Sequence, residues 1–142
     1  MELSTRNVFQ GTIKELKAGI VTTEVVLSLP GGNDIVATIT NESVDHLGLA
    51  PGKEACALIK APLVIVAAGE PNMRFSTRHM LTGTISRIEP GAVNAEVIID
   101  ISPGQSICAV ITMGSVKSMG LKVGDSVTAL FKASSVILAT RI

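Results

Sequence analysis

Through the first part of the chain, apolar side chains sit at alternate positions in short runs, each cut off by glycine or proline. "VFQGTIKELK" (8–17) and "IVTTEVVLSL" (20–29) follow this pattern, the second with Val21, Val25, Leu27 and Leu29 on one alternating set. Period-two alternation predicts strands that turn one face to a core. "PGGND" supplies a turn, and "IVATIT" (35–40) completes a hairpin. In "TNESVDHLG" (40–48) the spacing changes to that of a short helix over Ser43, Val44 and Leu47. Thr40 is placed to cap it and Gly48 to stop it in the left-handed conformation. "KEACALIK" (53–60) and "LVIVA" (63–67) then read as two further strands, separated by Ala61-Pro62.

The series is written twice. One offset aligns Ser4 with Ser76, Gly11 with Gly83, Gly19 with Gly91, Gly48 with Gly120 and Lys60 with Lys132 without a gap. About 28 of roughly 70 aligned pairs are identical, which marks an internal duplication. The second copy of the helix, "TMGSVKSMG", is weakened by Gly114. The domains expected are therefore a first module over 1–68 and a second over 73–142. A linker at 69–72 joins them, where Gly69 and Pro71 interrupt both patterns. Each module runs strand, strand, strand, short helix, strand, strand. The fold class expected is all-β with one short helix per module, as two tandem OB-like five-stranded barrel modules. A small sandwich also suits many short strands with glycine-rich turns.

Composition sharpens this picture. The apolar fraction is 46%, yet there is no Trp or Tyr and only three Phe, so the core is built from Val, Ile, Leu and Ala. A module of about 70 residues buries only about 60% of its unfolded surface, and the surplus of aliphatics points to modules that pack on one another, within the chain and between chains. Lys+Arg and Asp+Glu are both 12, which gives no basic face for nucleic acid or for an anionic membrane. The longest apolar run, near Leu63–Ala68, is far short of the roughly 20 residues that span a bilayer, and the Met1-Glu2 opening is unlike a signal peptide. A cytoplasmic protein without membrane partners is expected. Cys56 and Cys108 lack C-x-x-C spacing, lie among apolar residues and are expected as buried thiols.

The candidate chemistry lies in the polar positions that both repeats keep. They are Ser4/Ser76, Thr5/Thr77, Arg6/Arg78, Thr12/Thr84, Glu24/Glu96, Thr40/Thr112, Ser43/Ser115 and Lys60/Lys132. They include no set of nucleophile, base and orienting group, and the chain has no phosphate-loop, dinucleotide or nucleophile-elbow motif. An enzyme is not expected, and neither is a cofactor. His46 and His79 are replaced by Ser118 and Asn7 in the other repeat, so no metal coordinated directly by side chains is expected. Ser4, Arg6, Ser43 and Lys60 are all donors or cations. That set suits an inorganic oxyanion, which at neutral pH only accepts hydrogen bonds, and without carboxylates it does not suit a hard divalent cation. Each residue also has a structural use, in starting a strand, pairing at the surface or capping a helix.

The motifs "STRN…GT" and "STRH…GT", "GIVTTEV" and "GAVNAEV", the Ile-Thr-x-x-Ser-Val-x-x-(Leu/Met)-Gly-Leu stretches at 39–49 and 111–121, and "KAPLV/KASSV" together resemble the molybdate-binding Mop module. Two in tandem are similar to the di-Mop family of cytoplasmic molybdate-binding proteins. The resemblance covers essentially the whole chain. It implies OB-like modules assembled as a homo-oligomer, a trimer, with molybdate or tungstate bound at module and subunit interfaces for storage and homeostasis. It implies a ligand set of Ser4, Thr5, Arg6 and Ser43 with Lys132, Ala133 and Ser134, and a second of Ser76, Thr77, Arg78 and Ser115 with Lys60 and Ala61. Ions on the threefold axis would meet Val21, Thr22 and Thr23 or Val93, Asn94 and Ala95, where Glu24 and Glu96 would repel them unless turned away or paired with a base. Pro62 stands where the other repeat has Ser134, so the second set lacks a hydroxyl and a backbone N–H. A regulator would need a helix-turn-helix ahead of the modules and an uptake ATPase a Walker motif, for which the chain has no room. The competing expectations are a ligand-free structural or oligomerisation module and an OB-type nucleic-acid binder. The latter would need a stacking platform and a basic groove.

Overall fold

The computed structural model describes residues 1–70 and 72–142; Pro71, part of the expected linker, lies outside them. Among the described residues the fold is mostly β with two short helices, and ten strands form two curled five-stranded antiparallel sheets. Its compact units are discontinuous in sequence. One comprises Asn7–Ile59 with Lys132–Ile142, here the 7–59 unit. The other comprises Met1–Arg6 with Lys60–Phe131, here the 60–131 unit.

In the 7–59 unit the strands are β1 (Asn7–Ala18), β2 (Thr22–Ser28), β3 (Asp34–Thr40), β4 (Glu54–Ile59) and, from the end of the chain, β10 (Ile137–Ala139). The sheet runs β10-β4-β1-β2-β3. In the 60–131 unit they are β5 (Ile65–Ala68), β6 (Leu81–Pro90), β7 (Asn94–Ser102), β8 (Gln105–Thr112) and β9 (Ser126–Leu130). Here the order is β5-β9-β6-β7-β8. Each sheet thus takes four strands from one repeat and its last strand from the other. The repeats 1–68 and 73–142 divide the sequence; the packed chain divides elsewhere, and Gly69, Glu70 and Asn72 of the expected linker belong to the 60–131 unit.

The alternation read from the sequence builds both cores. Val25, Leu27, Ile35, Ala57 and Ile59 are buried in one unit, Val97, Ile99, Ile107 and Ala129 in the other. Val21 departs from that reading: it is 68% exposed, because β2 begins only at Thr22 and the alternating inward position there is Thr23. The long central strand of each sheet bends through a register shift, between Ile13 and Glu15 in β1 and between Ile85 and Arg87 in β6. Such bulges let one strand pair on both sides of a curled sheet. Gly11 and Gly83 are fixed by close approach. A Cβ on Gly11 would stand 2.5 Å from the Ser28 carbonyl oxygen, and one on Gly83 closer still to that of Asp100.

Two seven-residue helices follow β3 and β8: α1 (Asn41–Leu47) and α2 (Met113–Met119). Thr40 and Thr112 cap them and Gly48 and Gly120 end them in the left-handed conformation. Gly114 does not shorten α2, which the cap, the stop and buried Val116 hold together. Cys108 is buried and Cys56 only half-buried, contrary to expectation, because Cys56 lies on the face of β4 opposite buried Ala55, Ala57 and Ile59. Burial pushes the Cys108 thiol up, against a smaller lowering pull from the Arg6 guanidinium. Among the described residues no helix is long and apolar enough to cross a membrane.

Candidate anion-binding sites

The donors are positioned by the ends of the regular elements. In the 7–59 unit, Thr40 Oγ1 accepts from the Ser43 backbone N–H at 3.1 Å and donates to Ser43 Oγ at 2.8 Å. Ser43 is therefore an acceptor toward Thr40 and keeps its own hydroxyl proton to give. The short 3-10 turn Ala133–Ser135 packs against β3, the strand that leads into α1. That turn closes through Ser135 N–H to Lys132 O and Val136 N–H to Ala133 O. The amides of Ala133 and Ser134 thus lie in its opening positions, where helical turns leave donors over. Lys132 and Ser134 are exposed. The unit thereby collects Ser43, Lys132, Ala133 and Ser134, whereas Ser4, Thr5 and Arg6 of the same expected set belong to the 60–131 unit.

The second expected set, Ser76, Thr77, Arg78, Ser115, Lys60 and Ala61, falls wholly within the 60–131 unit. Ser115 repeats the geometry of Ser43, with Thr112 Oγ1 accepting from its N–H at 3.1 Å and donating to its Oγ at 2.9 Å. The turn Ala61–Leu63 packs against β8 as its counterpart does against β3. Its second residue is Pro62, so only Ala61 contributes an opening amide. Ser76 and Arg78 are exposed on either side of Thr77. The Thr77 hydroxyl donates to Phe131 O at 2.7 Å and accepts from the His79 N–H at 3.1 Å. Its proton is spent on the backbone, so Thr77 holds the segment in place. His79 is buried, stacked on Phe131, with Nδ1 3.0 Å from Phe131 O. Burial above all lowers its pKa, the carbonyl contact opposes this, and nearby Arg78 adds to it.

The segments expected near a symmetry axis form matching turns with different side-chain bonding. Val21 and Val93 are exposed, 68% and 72%, beside exposed Thr22 and Asn94, while Thr23 and Ala95 are buried. In the first turn Thr23 Oγ1 donates to Asn41 Oδ1 at 2.6 Å, and Asn41 Nδ2 donates to the carbonyls of Gly19 and Ile20 at 3.0 and 3.2 Å. In the second, Met113 and Ala95 occupy those positions and carry no polar group. The charge question raised by Glu96 has an answer here, because Arg6 forms an ion pair with it. Both line an open cleft of 510 Å³ with Arg87, Glu89 and Asn94, and Arg87 and Glu89 are themselves paired. Sequence reasoning allowed for a base beside Glu96 without naming Arg6, and missed the Arg87–Glu89 pair and the Asn41 clasp. The retention of glutamate at 24 and 96 was the available signal for the first.

These features define a class: tandem OB-like β modules in which exposed hydroxyls and cations are set on helix caps and strand ends. Residues 3–66 and 76–138 both match the TOBE domain, and the chain belongs to that family. It is similar over its full length to a crystal structure of the cytoplasmic molybdate-binding protein ModG with molybdate bound. That match has 45% identity and a TM-score of 0.95, and covers 99% of this chain and all of the other. It is also similar to the molybdenum-pterin-binding protein MopA of Rhodobacter capsulatus, at 45% identity over 98% of this chain and 52% of MopA. The molybdenum transport protein ModE of Azotobacter vinelandii is 41% identical over 98% of this chain and 51% of its own length. The chain thus spans about half the length of the curated relatives it matches.

Proposed function

We propose that this protein binds molybdate, or its near-isosteric relative tungstate, reversibly and without chemical turnover, as a cytoplasmic store that buffers the free ion. The observation that carries this reading is the full-length likeness to a ModG structure that holds molybdate. The donor chemistry supports it. A tetrahedral dianion offers only acceptors, and Ser43, Ser115, Lys60, Lys132, Arg6 and Arg78 each have a hydroxyl proton or a cationic group to give at exposed or half-buried positions. One class of site uses Ser4, Arg6 and Ser43 with Lys132, Ala133 and Ser134. The other uses Ser76, Arg78 and Ser115 with Lys60 and Ala61.

The working form is a homo-oligomer, a trimer, with further ions at the Val21–Thr23 and Val93–Ala95 turns. The exposure of Ile20, Val21, Val93, Ile65 and Ile137 supports assembly, since apolar side chains in such numbers favour burial against a partner. Neither nucleic acid nor membrane is a partner of this form. Calorimetric titration with molybdate and then sulfate, at a mass fixed by light scattering, tests the proposal. Tight, multi-phase molybdate binding by a trimer is expected, and no binding to the folded protein overturns it.

A further inference from the structure

Three charged positions keep the same residue in both repeats: Arg6/Arg78, Glu24/Glu96 and Lys60/Lys132. Elsewhere the charges drift or reverse, as at Glu2/Arg74, Glu15/Arg87, Lys17/Glu89 and Asp45/Lys117. Two of the retained residues are cations of the proposed ligand sets. The third is acidic, the wrong sign for a site that binds anions, and in the 60–131 unit Glu96 is ion-paired with Arg6.

We infer that Glu96 is a built-in competitor for Arg6, a resident carboxylate that an incoming oxyanion must displace and that thereby screens out weaker anions. This rests on the reading of Arg6 as an oxyanion ligand. The two side chains are 55% and 40% exposed, and a pair so open to water is held weakly, so a stronger acceptor can break it. A tetrahedral dianion carries twice the charge of a carboxylate and more acceptor oxygens, and wins the guanidinium. A monoanion such as nitrate or chloride has no such advantage over a carboxylate already tethered in place. Arg87 in the same cleft is also occupied by a carboxylate, that of Glu89, so neither guanidinium is offered unopposed to the anions of the solvent.

The test is molybdate titration of the full-length protein and of Glu96→Gln, Arg6→Ala and the double variant, each with and without excess nitrate. Removing the competing charge should tighten one class of site about twofold to fivefold and make that class more sensitive to nitrate. In the Arg6→Ala background Glu96→Gln should have no effect, because the competitor has lost its target. If Arg6→Ala abolishes the class but Glu96→Gln weakens it or leaves it unchanged, Glu96 merely orients Arg6 and the inference fails. If Arg6→Ala leaves every class intact, Arg6 is no ligand and the reading beneath the inference fails with it. Glu96→Ala, which removes the charge without an amide, should tighten the same class.

Discussion

The imidazole of His79 stacks on the ring of Phe131, centroids 4.0 Å apart and planes at 18°, while its Nδ1 meets the carbonyl oxygen of the same residue at 3.0 Å. A neutral imidazole with its proton on Nδ1 satisfies both contacts, and a charged one loses hydration in a site where the residue is 2% exposed. The folded-state pKa accordingly lies below 6.5, mainly through burial. As pH falls through 6.5 the unfolded chain takes up a proton that the folded chain refuses, so stability is lost on that side and is fully present above it. His79→Asn installs the residue that the other repeat carries at this position, and does not titrate. Denaturant unfolding at pH 7.5 and 5.5 should show a larger loss for the wild-type protein than for this variant; equal losses would remove His79 as the cause.

Thr77 stands between two proposed ligand residues, yet its hydroxyl is committed to Phe131 O and the His79 amide. Thr77→Val keeps the shape and removes those bonds. The expected cost is about 1 kcal/mol of stability, since the carbonyl retains His79 as a partner. The number of molybdate ions bound at saturation should not change. A lost ion would mean that the hydroxyl reaches the ligand.

The strand order, both helices and their caps were legible because each rests on local chemistry: alternation in β2 and β7, a threonine three residues before a serine, a glycine at the stop. The exchange of last strands was not. Val64-Ile65 and Val136-Ile137 are the same pair of residues in the two repeats, so the hydrophobic pattern lets either segment pair with β4 or with β9. The partner is chosen by where the chain goes after Lys60 and Lys132. Of the site, residue types were legible and commitments were not. Thr77 and Ser76 look alike as donors until a carbonyl 54 residues away takes one of them. Arg6 finds its carboxylate 90 positions downstream, a distance that no local pattern bridges.

Arg6 and Arg78 are matched in sequence but belong to different proposed sets. Arg6→Ala should weaken one class of molybdate site about tenfold to a hundredfold for a lost charge-assisted contact, and leave the Arg78 class largely intact. Calorimetric titration reads the affinity of each class directly. Unchanged affinity in every class would show the assignment of Arg6 to be wrong.

Gly11 and Gly83 hold the same structural place in the two sheets, where the long strand crosses a neighbouring carbonyl at a distance that excludes a methyl group. Gly11→Ala and Gly83→Ala should each cost about 1 to 3 kcal/mol, because the obstructing atom is backbone and cannot swing aside. Gly83→Ala should cost the more. Urea midpoints for the two variants check the magnitude and the order, and a neutral substitution at either would show that the strands can separate there.

Ser134 and Pro62 occupy the same place in the turns that follow Lys132 and Lys60, and the two turns are otherwise built alike. Serine offers a hydroxyl and an amide where proline offers neither. With a donor to an anion worth about 1.5 to 3 kcal/mol, the class containing Ser134 should be tighter by one or more decades. Exchanging the residues separates this cause from every other difference between the repeats. Pro62→Ser should tighten the weaker class, and Ser134→Pro should weaken the tighter one toward it. Pro62→Ser also frees the unfolded chain at that position, costing up to about 1 kcal/mol of stability, so binding is measured well below the unfolding temperature. Two classes that keep their order after both substitutions would show that the difference arises at the first-strand residues and not in these turns.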